Sequence, residues 1–264
     1  MAVNNKKGMM PVIRNEYIQS DKVKREMRFV HLSDLHGCIY GRHQSTLIQM
    51  ILRLSPDAVL MTGDMLEKRF DKSPVGELFS GLSKYFPCYG VMGNHEFYYE
   101  HYRGATKYYR TCGIQLLEGK CKVLNVHGQR INICGVSDPK NPDEGFLSQM
   151  ERAFSQADTD LYTILLSHRP EKSMLYRQYP CDLVLSGHAH GGQWIIPGLI
   201  NGVYAPGQGL FPKYAGGRYD FKEQTQIVSR GLAYHVRVPR IGNPVEIGVI
   251  NIVPGKSSKV GLLH

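Results

Sequence analysis

Five short blocks of metal-seeking residues follow one another down the chain, and each closes an apolar run that reads as a buried strand. The blocks are Asp34-Leu35-His36, Gly63-Asp64, Gly93-Asn94-His95-Glu96, His168 and Gly187-His188-Ala189-His190. The runs before them are Phe29–Leu32, Ala58–Met61, Tyr89–Met92, Ile164–Leu166 and Leu183–Leu185, rich in Val, Ile and Leu as strands covered on both faces should be. This order predicts sheets whose strand ends carry polar donors along one edge. In open α/β sheets that edge is where sites form, because strand ends are rigid while the loops after them vary freely.

The donor types point to the chemistry. Oxygens from Asp34, Asp64 and Asn94 and imidazoles from His36, His168, His188 and His190 exceed the coordination sphere of one ion and fit two. With one carboxylate shared, two divalent cations about 3.5–4 Å apart can clamp a phosphoryl group and lower the pKa of a bridging water towards neutrality. Imidazole and carboxylate without thiolate suit Mn, Fe or Zn better than Ca or Mg. Singly, each block has a plainer reading: Gly63-Asp64 is a turn, and a lone His168 after an apolar run is an ordinary hydrogen-bonded histidine. Gly187-His188-Ala189-His190 says more, since glycines beside an i, i+2 pair let one loop aim both imidazoles.

The ordered set D-x-H, GD, GNH, H and GHxH, running from Asp34 to His190, resembles that of the calcineurin-like metallophosphoesterases. The resemblance implies an α/β fold with mixed sheets, a four-layer α-β-β-α sandwich. It implies that Asp34, His36 and His190 hold one ion, that Asn94, His168 and His188 hold the other, and that Asp64 bridges them. His95 falls where the family keeps a non-ligand histidine that steadies the transition state and protonates the leaving oxygen. The implied reaction is hydrolysis of phosphodiester or pyrophosphate bonds by in-line attack of a metal-bridging hydroxide, without a covalent enzyme intermediate.

A narrower likeness lies in Gly187–Gln193, Tyr214–Tyr219, Ser229–Leu232 and Pro239–Pro244, which resemble the bacterial YkuE- and YaeI-like phosphodiesterase branch. Members of that branch usually carry an N-terminal membrane anchor or export signal. Met1–Gln19 holds Lys6, Lys7, Arg14 and Glu16 and no apolar run of the required length. A cytoplasmic location follows as an expectation, unless the natural N-terminus lies further upstream.

Two other function classes compete. Phosphoprotein phosphatases of the same superfamily also write Glu after GNH, as in Glu96, but resemble GDxVDRG at the second block, where this chain has Lys68 in place of the phosphate-binding arginine. A phosphomonoesterase is therefore the second reading. The third is a non-catalytic scaffold, which would be expected to have lost ligands or the acid histidine.

At 264 residues and 42% hydrophobic, the chain is expected to form one domain over 1–264, with 1–25 as an N-terminal extension and first edge strand and 26–264 as the catalytic core. Six cysteines without C-x-x-C spacing read as reduced thiols. The formal charge of +9 suits a small-molecule or lipid-linked phosphoester, peripheral contact with an anionic membrane surface, or a nucleic acid.

Helical patterns begin at Ser45, as cap, and at Ser73-Pro74, with Leu78, Leu82 and Phe86 inward; two more cover Ala105–Cys112 and Phe146–Phe154. Lys122–Val126 and Ile131–Val136 read as a strand pair, and Gln226–Ser229, Ala233–Val238 and Glu246–Val253 as antiparallel strands.

Further candidates are Gly191 and Gly192 for close backbone approach to phosphate, and Arg42 and Arg230 for neutralising substrate charge. Tyr98, Tyr99, Tyr102, Tyr108 and Tyr109 either cover the site, bind a base or acyl group, or pack a helix onto the core, and Cys38 reads as structural.

Overall fold

A computed structural model describes residues 10–98, 102–196, 199–234 and 239–255. In chain order the elements are β1 (Val12–Ser20), β2 (Met27–Leu32), α1 (Ser45–Leu54), β3 (Ala58–Met61), α2 (Ser73–Ser83), β4 (Cys88–Gly90), α3 (Tyr102–Thr111), β5 (Gln115–Leu116), β6 (Lys120–Val126) and β7 (Gln129–Val136). They continue with α4 (Phe146–Phe154), β8 (Tyr162–Ser167), α5 (Ser173–Tyr176), β9 (Leu183–Ser186), β10 (Tyr204–Ala205), β11 (Gly209–Leu210), β12 (Gly217–Asp220), β13 (Thr225–Val228) and β14 (Glu246–Pro254). Among these helices none is long and apolar enough to cross a membrane.

Two six-stranded mixed sheets carry the architecture, ordered β1-β14-β2-β3-β4-β5 and β12-β13-β9-β8-β7-β6. Between them lies one apolar layer, with Phe29, Ala58, Leu60 and Ile250 from the first sheet against Ile133, Ile164, Leu166, Leu185 and Ile227 from the second. The outer face of the first sheet packs on α1, α2 and α3 through Leu47, Ile51, Leu78, Phe79 and Tyr109. The outer face of the second packs on α4 and α5 through Met150, Ala153 and Tyr176. This is the four-layer sandwich, and burial on both faces explains why the strand cores read as unbroken apolar runs rather than alternating ones.

Local departures from expectation have local causes. Ser45 is the first residue of α1 rather than its cap; Gln44 precedes it in a left-handed conformation and spends its side chain on Tyr40 N and Cys38 O. β4 closes at Gly90, while Val91 and Met92 carry the chain onward through bonds to Met61 O and from Asp138 N. The late strands are not simply antiparallel: β13 runs parallel to β9, and β14 runs parallel to β1 but antiparallel to β2. Of the expected strand Ala233–Val238, Ala233 and Tyr234 are irregular and residues 235–238 lie outside the described residues.

Candidate metal centre

The parallel strands β2, β3 and β4 of one sheet, and β8 and β9 of the other, end at a common edge, and each is followed within four residues by a predicted donor. Asp34, His36, Asp64, His188 and His190 all adopt left-handed backbone, with φ between 47° and 66°. Few non-glycine residues tolerate this region, and such strain concentrates where side chains must be turned to a fixed point. The loops also touch: a Cβ on Gly93 would overlap the Asp64 carboxylate, so the GN block requires its glycine.

The donors converge in two groups, Asp34–His36–His190 and Asp64–His168–His188, with a third, His36–Glu67–His95, adjoining them; in each group the ligand atoms lie within 4.8 Å of one another. Asp34 Oδ1 is 3.4 Å from His190 Nε2 and 3.9 Å from His36 Nε2. Asp64 Oδ2 stands between the groups, 3.7 Å from His36 Nε2 and 3.2 Å from His168 Nε2. His168 Nε2 is 3.1 Å from His188 Nδ1, while its Nδ1 donates to Thr62 O at 2.7 Å and so keeps Nε2 turned to the cluster. The backbone N–H of His188 donates to Asp34 Oδ2 at 3.0 Å, across the seam between the sheets.

Two observations test whether this set fits divalent ions. Among the described residues His36 Nε2 and Asn94 Oδ1 are buried without a hydrogen-bond partner, although buried polar atoms are normally satisfied. Charge gives the second. Burial opposes a proton on His168, yet the carboxylates of Asp64 and Asp34 outweigh it and push the imidazole up to about 10; burial, then the positive charges of His168 and Arg169, push His188 down to about 2. Buried carboxylates that draw protons onto neighbouring imidazoles, beside imidazoles that keep their lone pairs, form a donor set that divalent cations would balance.

His95 sits beside the groups, about 30% exposed, its backbone N–H donating to Asp64 Oδ1 at 2.8 Å and its ring edge-on to His36 at 4.5 Å between centroids. Its Nδ1 lies 3.1 Å from Glu67 Oε2, which is also 3.5 Å from His36 Nδ1. Tyr98 lies edge-on to His95 at 5.5 Å and beneath Lys140, 4.5 Å from its ammonium. The other described tyrosines of that segment serve the core: Tyr109 is fully buried, and Tyr102 and Tyr108 pack against the same cluster. Tyr99 lies outside the described residues.

Glu96 is a brace. Its Oε2 accepts from Asp64 N at 3.0 Å and Gly93 N at 2.9 Å, and its Oε1 accepts from Leu66 N at 3.0 Å and the Tyr109 hydroxyl at 2.8 Å. It thus holds two donor loops in register. Gly191 and Gly192 are likewise required by packing: a side chain on Gly191 would overlap Asn243, whose amide donates to His190 O at 2.7 Å and Gln193 O at 3.1 Å. Cys38 is buried in the helical core, as its reading implied.

Neither expected arginine reaches the cluster among the described contacts: Arg230 lies against Glu246, and Arg42 against His43. Two others do. Arg169 grips Asp138 with two nitrogens and places Nη1 2.7 Å from His188 Nε2, and Arg240 places Nη2 3.5 Å from His190 Nδ1. Asp138 follows β7 as the other donors follow their strands, so the apolar run Ile131–Val136 before it was the available signal. Glu67 lay three residues past Asp64, but only the fold shows that it faces two histidines.

The family model described as calcineurin-like phosphoesterase matches residues 27–192. An uncharacterized metallophosphoesterase of Helicobacter pylori J99 is 29% identical over 92% of this chain, and the chain spans 64% of that relative's length. The phosphodiesterase YaeI of Escherichia coli is 25% identical, over 85% of this chain and 82% of its own. The crystal structure of TT1561 of Thermus thermophilus superposes with a TM-score of 0.52 at 14% identity, over 78% of this chain and 90% of that one. With its donor clusters at the strand ends of a shared sandwich, the chain belongs to the calcineurin-like phosphoesterase family.

Proposed function

We propose that the protein hydrolyses phosphodiester or pyrophosphate bonds, with Asp34, His36 and His190 holding one divalent ion, Asn94, His168 and His188 the other, and Asp64 shared. The observation that carries this reading is the pair of donor groups with Asp64 Oδ2 between them and His36 Nε2 and Asn94 Oδ1 left without a hydrogen-bond partner among the described residues. Two ions of the Mn, Fe or Zn kind, when bound, would activate water and neutralise the phosphoryl oxygens. His95 is the proton donor to the leaving oxygen, with Glu67 orienting its ring through Nδ1. Arg169, fixed by Asp138, locks the His188 ring.

A diester is favoured over a monoester because two of the cations near the site are already committed to carboxylates. Arg169 grips Asp138, and Arg69 puts two nitrogens on Glu67 at 3.3 Å. A dianionic monoester calls for a further forked donor, and the second block offers Lys68, a point charge. The similarity to a phosphodiesterase supports the same choice. Glu96, which first suggested a phosphatase, serves the loops instead. Small-molecule or lipid-linked diesters are the substrate class.

The test is kcat/KM on bis-nitrophenyl phosphate and on nitrophenyl phosphate with Mn-loaded protein. A diester preference is expected. Monoester preference would replace this reading by the phosphatase one, and no turnover of either by fully metallated protein would make the chain a scaffold.

A further inference from the structure

From Gly191, the residue after His190, to Pro212 the chain carries no Asp, Glu, Lys, Arg or His. Such a run normally marks a buried segment, but of its twenty described residues eight are exposed and six buried. Trp194 is 43% exposed, Ile196 51%, Leu199 78%, and Leu210 and Phe211 69% each; Ile241, paired with Trp194 through the backbone, is 55% exposed. Several large apolar side chains left exposed on successive loops mark an interaction surface.

The surroundings indicate the partner. In the described parts of 191–245, Lys213, Arg218, Lys222, Arg230 and Arg240 stand against Asp220 and Glu223, a surplus of three positive charges. A cavity of about 560 Å³ beneath Ile196 and Leu199 is lined by Ile195, Ile200 and Pro244 together with Arg14 and Arg230, two guanidiniums that share the single carboxylate of Glu246. Apolar and aromatic tips without charge, backed by surplus cations, match the layered chemistry of a bilayer interface, where acyl chains lie below anionic headgroups.

We propose that the loops after His190, with Trp194, Ile196, Leu199, Leu210, Phe211 and Ile241 at their tips, dock the protein onto a bilayer containing anionic lipid. Docking sets the loop that carries His188 and His190 against the headgroup layer. It concerns where the enzyme works and stands apart from which phosphoester bond it breaks.

Trp194 is the only tryptophan of the chain and so reports on this surface directly. The full chain is titrated with vesicles of phosphatidylcholine alone and of phosphatidylcholine with one part in three phosphatidylglycerol, following Trp194 emission and co-sedimentation. A blue shift is expected, with anionic vesicles preferred by about tenfold or more at low salt and the preference shrinking as salt rises. The double variant L210S/F211S should lose about tenfold or more in vesicle affinity, as should L199S, while both hydrolyse a soluble diester as the parent does. Absence of vesicle binding at low salt would overturn the proposal, as would equal binding to neutral vesicles or unchanged binding by both variants. A lipid-free shift of Trp194 that follows protein concentration would assign the surface to a second copy of the chain instead.

Discussion

Replacing Glu96 by Gln removes one negative charge and turns one of two accepting oxygens into a donor. Oε2 takes two backbone N–H groups, so the new amide nitrogen fits best at the Oε1 position, where the Tyr109 hydroxyl can rotate to accept from it. Leu66 N–H cannot rotate and is left facing a donor. An unsatisfied buried donor costs about 1–3 kcal/mol, and the remaining bonds lose the strengthening that an ionised acceptor gives. Part of this is offset, because burial and the neighbouring Asp64 charge push Glu96 up to about 7 in the native protein. The expected net loss is about 1–3 kcal/mol, a fall of about 2–5 °C in Tm for a chain of this size. Urea midpoints and the metal content of dialysed protein are the assays. Because Asp64 N is one of the held groups, metal retention should fall together with stability. A variant as stable and as metallated as the parent, but with a changed diester-to-monoester ratio, would refute the brace and make Glu96 a substrate-facing residue.

His95→Ala should keep both metals by elemental analysis yet lose about 10²–10⁴-fold in turnover on substrates with an alkoxide leaving group, and much less on nitrophenolate esters; loss of metal would make His95 a ligand. Glu67→Gln should give a milder defect of the same leaving-group dependence, about tenfold, because a neutral amide orients His95 without stabilising its charge. Asn243→Ala should destabilise by about 1–3 kcal/mol, having removed both bonds from its amide to the His190 loop, and should weaken metal retention while leaving the leaving-group dependence unchanged. The diester-to-monoester ratio under Mn decides the substrate class as described above.

The apolar runs before Asp34, Asp64, Asn94, His168 and His188 were legible because a strand buried on both faces and the donor that ends it are adjacent in sequence. Partners meeting across the fold left no such trace. Arg169 meets Asp138 at a separation of 31 residues, and Asn243 meets His190 at 53. Nothing local distinguishes these side chains from solvated ones, which is also why Arg42 and Arg230 read as candidates while their described contacts are with His43 and Glu246. Strand direction was hidden for the same reason. β14 is buried along Glu246–Ile252 whichever way its neighbours run, and only the chain path shows it seated between β1 and β2. Capping was misread at Ser45 because the Gln44 side chain is spent on the preceding turn rather than on the helix.

Each donor group takes members from both sheets: Asp34 and His36 follow β2 while His190 follows β9, and Asp64 follows β3 while His168 and His188 follow β8 and β9. An ion in either group would therefore act as a rivet through the sandwich, and ion release and parting of the sheets at that end would be one linked equilibrium. At a hundredfold excess over its Kd, one bound ion adds about 2.7 kcal/mol to the closed form, comparable with the roughly 2–5 kcal/mol lost on truncating a buried leucine. A defect at Leu166, in the layer between the sheets and two residues before His168, would then show itself as weakened metal affinity, and excess metal would conceal it.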